Sequence, residues 1–88
     1  MEMDNQTIHL GNMIKRELKA QGRSVSWLAR TIKMERSSIY KIFDRNSLDV
    51  ALLIKISLVM DHDFFMDVSS KIHHHHDDIL STYLNAHN

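Results

Sequence analysis

Eighty-eight residues without a cysteine or a proline set the size of one small domain, and exclude both a disulfide framework and a thiolate metal site. No run of about 18 apolar residues occurs, which argues against a membrane span, and the opening "MEMDNQTIHL" lacks the basic and apolar blocks of a signal peptide, so the expected location is the cytoplasm. The formal net charge is +0, yet residues 15–45 carry nine Lys and Arg against three acids (+6), while residues 46–88 carry two lysines against six aspartates (−4). A basic segment of that kind attracts phosphate even in a neutral chain.

With only Gly11 and Gly22 as breakers, the sequence predicts helices joined by short turns. A first helix is expected over about Ile8–Ala20, with Leu10, Ile14 and Leu18 four apart, Met13 beside them and Thr7 as its cap. Gly22 closes it, and Gly11 inside it points to close packing. A second helix follows the N-cap Ser24, with Val25, Leu28, Ala29 and Ile32 inward. A third starts at Glu35 or Arg36 and runs to about Asp44, with Ile39 and Ile42 inward and Met34 in the turn before it.

The fourth helix is expected to be capped by Ser47, with Asp49 in its first turn. Its sequence, "LDVALLIKISLVM", is apolar on most sides. That pattern predicts a central buried helix, or else one that meets another chain. A short fifth helix starts at Phe64-Phe65 under the cap Asp63, with Phe65 and Val68 closing the core. Beyond it, Ile72, Ile79, Leu80, Tyr83 and Leu84 fit a further amphipathic helix or a tail.

The stretch "SWLARTIKMERSSIYKIF" is therefore two short helices around a tight turn, the pattern of a helix-turn-helix. The second of these suits the DNA major groove, which admits one α-helix. Ala29 is the small residue where the two helices touch, and Leu28, Ile32, Ile39 and Ile42 lock them together.

On these residues "SVSWLARTIKMERSSIYKIF" resembles the helix-turn-helix of phage repressor and Cro proteins, the XRE-type family. The resemblance extends to "LGNMIKRELK" before it and "LDVALLIKISLVMDHDFF" after it, and covers residues 8–68. It implies an all-α fold: a compact five-helix, lambda-repressor-like domain over 8–68, between a tail at 1–7 and a helix or tail at 69–88. Three positions depart from the family. Lys33 stands at the turn glycine, at a cost of about 1 kcal/mol if left-handed. Val25 stands where a phosphate-touching glutamine opens the second helix. Phe43 replaces a glutamate and adds apolar surface.

The resemblance implies that base readers fall at Arg36, Ser37, Tyr40 and Lys41, on a recognition helix of about 36–44. Arginine suits this role, because it pairs bidentately with guanine O6 and N7. Phosphate contacts are expected from Arg23, Ser24, Ser26, Arg30, Arg45 and Asn46, in loops and at helix N-termini beside the recognition helix. Double-stranded DNA is the implied partner, read by a homodimer whose two recognition helices lie about one helical turn apart.

His73–His76, with Asp77, Asp78 and His87, invite a metal reading. Successive helical residues point 100° apart, so one helix offers two ligands where zinc needs three or four. No metal and no cofactor are expected. Without a glycine-rich phosphate loop or a nucleophile elbow, an enzyme is not expected either. The alternative to a DNA regulator is a protein-interaction module, such as an antitoxin-like partner that uses residues 69–88.

Overall fold

The first helix, α1 (Leu10–Ala20), opens two residues later than the expected start at Ile8, at the first residue of its apolar stripe. His9 is the cap: its Nδ1 accepts from the Asn12 N–H at 3.1 Å, and its carbonyl accepts from Met13 N–H at 3.1 Å. The computed structural model describes residues 8–86, so Thr7, the 1–7 tail and His87 lie outside the described residues. Leu10, Ile14 and Leu18 are buried as one stripe. The helix ends at Ala20 with Gln21 as its C-cap, and Gly22 just beyond it turns the chain away with a left-handed φ of 70°. Arg23 N–H then donates to Leu18 O and Gly22 N–H to Lys19 O, both at 3.0 Å. These nested bonds satisfy carbonyls that a helix end leaves orphaned.

Ser24 caps α2 (Val25–Ile32), its hydroxyl accepting from Trp27 N–H at 3.0 Å. Leu28, Ala29 and Ile32 are buried, at the 3- and 4-residue spacing of one helical face. Lys33 closes α2 in the left-handed region, φ 61° and ψ 49°. The nested pair recurs there, Met34 N–H to Ala29 O at 2.9 Å and Lys33 N–H to Arg30 O at 3.3 Å. Only three residues, 33–35, separate α2 from α3 (Arg36–Phe43).

α3 packs against α1 and α2, and α2 also packs on α4. The approach of α1 to α3 needs Gly11. A Cβ at that position would run into the carbonyl oxygens of Ile42 and Phe43. Two free N–H groups at the start of α1 donate across the same contact, Leu10 to Asn46 O and Gly11 to Arg45 O, each at 2.9 Å. The N-terminus of α1 thereby holds the turn that follows α3. At its other end α1 is tied by Gln21, whose amide donates to Glu17 and to the Met60 carbonyl, both at 2.9 Å. The His62 ring packs on Phe64 with centroids 4.6 Å apart, and its Nδ1 lies 3.5 Å from Glu17.

α4 (Val50–Met60) differs from expectation in two ways. Its cap is Asp49 and not Ser47, because the Asp49 carboxylate accepts from Leu52 N–H at 3.0 Å, and Leu48 stays outside the helix. A carboxylate is the stronger acceptor and also meets the positive end of the helix dipole. Nor is α4 a central buried helix. Leu53, Ile56 and Met60 are buried, whereas Val50, Ile54 and Leu58 are exposed on the opposite side. The domain is too small to cover a helix all round. Asp61, left-handed at φ 52°, ends it.

α5 (Phe64–His74) is longer than the short helix expected, and it buries Phe64 at 0% exposure, while Phe65 stays 39% exposed. Neighbours in a helix point 100° apart, so only one of the pair can face inward, and the turn at Asp61–Asp63 selects the first. α6 (His76–Ala86) brings the helix count among the described residues to six, with no strand. The fold is therefore all-α. The chain divides into two compact units, one of His9–Phe64 and one that takes in Phe65 onward together with Ile8. Ile8 and Ile79 are the buried apolar residues described in the latter.

Candidate nucleic-acid interface

α3 turns two unlike faces. Ile39, Ile42 and Phe43 point into the His9–Phe64 unit and are buried. Arg36, Ser37, Tyr40 and Lys41, spaced i, i+1, i+4 and i+5, form one exposed strip on the other side. All four residues expected to read bases thus share a single face. Phe43, expected to add apolar surface, is instead only 7% exposed. It gives Tyr40 a support: the two rings meet edge to face at 6.0 Å and 89°, with Tyr40 still 56% exposed.

Arg36 lies at the N-terminal end of α3, the end with unpaired backbone N–H groups. Its guanidinium donates to the Ser26 hydroxyl of α2 at 3.4 Å, a long bond that spans the turn. Ser26 is half-buried and faces α3 as an aid to Arg36. Nothing in the sequence signals this contact, since the two residues are ten apart and meet only when the helices fold back. Glu35, just before Arg36, makes no side-chain cap.

The residues expected on phosphate are less uniform. Ser24 is exposed at the start of α2, and its hydroxyl already accepts from Trp27 N–H, which leaves its own proton to donate outward. Arg23 stacks over the Trp27 ring at 4.0 Å, and its Nε donates to Gln21 at 3.1 Å, so only the outer edge of that guanidinium is open. Trp27 is half-buried beneath it. Arg30, Arg45 and Asn46 are exposed. The backbone of Arg45 and Asn46 is held by α1, which fixes where those two side chains start.

Electrostatics set this region apart. Among the described residues, none of the nine Lys and Arg side chains between Lys15 and Arg45 pairs with a carboxylate, whereas the rings of His62 and His76 lie beside the carboxylates of Glu17 and Asp77. Unpaired cations on one short segment leave their charge available to an anionic partner.

His73 and His74 end α5, a bend at His75 follows, and His76 starts α6. With Asp77 and Asp78 these histidines line an open polar concavity. His74 Nδ1–H donates to the Ser70 carbonyl at 2.8 Å, and His76 Nδ1 lies 3.2 Å from Asp77. Among the described residues no three His, Asp or Glu side chains converge as a metal site, and no helix is long and apolar enough to cross a membrane. No family model, curated protein or solved structure matches the chain.

Proposed function

We propose that the chain is a sequence-specific DNA-binding regulator of the XRE, phage-repressor type, with α2 and α3 as its helix-turn-helix. The observation that carries this reading is the outer face of α3, where Arg36, Ser37, Tyr40 and Lys41 stand exposed together. α3 inserts into the major groove with its N-terminal end deepest. There Arg36 pairs with a guanine edge, and Tyr40 and Lys41 meet the bases or phosphates further along. Ser24, Ser26, Arg23, Arg30, Arg45 and Asn46 fix the register on the backbone, and a homodimer presents two such helices.

The fold's economy supports the reading. The Gly11 contact and the backbone bonds to Arg45 and Asn46 seat α3 on α1, and α3 also packs on α2, so its outer face is presented by a firm frame. A short unsupported helix of eight residues is unstable in water, and a free one would lose affinity to ordering.

The test is selection of random-sequence duplex DNA by the purified full chain. An enriched motif made of two related half-sites is the expected result. No enrichment over bulk duplex would leave α3 as a scaffold. A second reading has its own observation: Leu80, Tyr83 and Leu84 are exposed on α6. Those side chains suit an antitoxin-like role, in which residues 69–88 bind another protein. Removing residues after about Ser70 would then leave DNA affinity intact and abolish capture of that partner.

A further inference from the structure

α4 is apolar on both of its sides, although only one of them meets the core. Leu53, Ile56 and Met60 account for the buried side. On the other, Val50 is 62% exposed, Ile54 44% and Leu58 74%, at i, i+4 and i+8, with the small Ala51 beside Ile54. These residues form one straight, uncharged seam along the helix. Lys55 flanks it, where its methylene stem can cover the edge while its ammonium stays in water.

We infer that this outer seam of α4 is where a second copy of the chain docks, in antiparallel register about Ile54. The seam is complementary to itself. A two-fold axis through Ile54 sets Ile54 against Ile54 of the partner and Val50 against the partner's Leu58, so a smaller branched side chain meets a larger one at each end. That is the condition for an isologous interface. No charge lies between Val50 and Leu58 on that line. Ala51 allows close approach of the two backbones.

The area decides the strength. The seam exposes on the order of 300 Å², the size of an ordinary surface patch, against about 800 Å² per partner in a stable interface. The pairing is therefore weak in free solution. It becomes persistent when both copies sit on one duplex, which raises their effective concentration. The choice of a second copy as occupant rests on the reading of a two-helix DNA regulator given above. The test below uses no DNA, so that the two can fail separately.

The chain has no cysteine, so single cysteines can be placed on the seam of the full-length protein and joined with a short bis-maleimide. Ile54→Cys is expected to give covalent dimer at least about tenfold faster than Val50→Cys or Leu58→Cys alone, because in antiparallel register only position 54 meets itself. Mixing Val50→Cys with Leu58→Cys is expected to restore the rate. Tyr83→Cys on α6 serves as the control for random collision. Each variant is first checked for wild-type helicity, which these exposed positions should preserve. If Ile54→Cys crosslinks no faster than Tyr83→Cys, or if Val50→Cys and Leu58→Cys each crosslink as fast as Ile54→Cys, the inference is overturned. Crosslinking at position 54 without any enriched DNA motif would uphold the seam and sink the DNA reading.

Discussion

α3 and α4 are neighbours in the chain and build on the same plan, yet they differ in what they leave outside. Each buries three side chains, Ile39, Ile42 and Phe43 on one and Leu53, Ile56 and Met60 on the other. Outward, α3 shows Arg36, Ser37, Tyr40 and Lys41, and α4 shows Val50, Ile54 and Leu58. The inner stripes explain why the helices exist and how they pack. They say nothing about partners. The outer faces have no role in the core, so their chemistry is free to suit a partner: cations and hydroxyls match an anionic one, aliphatic groups an apolar one.

The contrast between inner and outer faces can be broken most severely within α4 itself. Ile56→Ala removes a fully buried side chain and is expected to cost about 2–5 kcal/mol in denaturant unfolding. Leu58→Ala, two residues on, is expected to change stability by no more than about 0.5 kcal/mol. Equal losses at both positions would mean that α4 has no free face.

Gly11→Ala comes next in size. The added methyl meets two backbone carbonyls of α3, which cannot rotate away, so about 1–3 kcal/mol should be lost. A drop in melting temperature of several degrees is the expected readout for a chain of this length. An unchanged melting curve would contradict the tight seating of α1 on α3.

A smaller effect separates the two candidate caps of α4. Asp49→Ala should cost about 1 kcal/mol, since it orphans the Leu52 N–H, whereas Ser47→Ala should be nearly silent. The reverse ranking would restore Ser47 as the cap. The smallest change is a gain: Lys33→Gly relieves a left-handed lysine at φ 61° and is expected to add about 0.5–1 kcal/mol without touching the outer face of α3.

The inward stripes were legible in the sequence because a helix repeats every three to four residues. Leu10, Ile14, Leu18, Leu28, Ala29, Ile32, Ile39 and Ile42 are all buried as their spacing implies. Gly22 and Ser24 act as the stop and start that their residue types suggest. Periodicity fails where a helix is apolar all round. In α4 the sequence cannot choose which side the core takes, and Leu53 and Met60 prove to be inside with Val50 and Leu58 outside. It fails again at Phe64-Phe65, where a turn of unknown angle decides which ring goes in. Between Ser47 and Asp49 both residues are good caps, and only the path of the loop separates them. For the candidate site, the shared exposed face of Arg36, Ser37, Tyr40 and Lys41 follows from spacing alone. The support of Tyr40 by Phe43 and the reach of Arg36 to Ser26 are tertiary contacts that no local pattern announces.

The most direct test of the central claim is the affinity of the wild type and of an Arg36→Ala, Lys41→Ala double variant for one enriched duplex and for bulk duplex, across a salt series. The two side chains are exposed, so the variant should fold like the parent. A base-reading α3 predicts that the variant loses about 1–3 kcal/mol of preference for the enriched duplex per specific contact. It also predicts that both proteins keep a steep, salt-dependent binding to bulk DNA through the remaining cations. Equal preference in the two proteins would contradict the assignment of α3 as the helix that reads DNA.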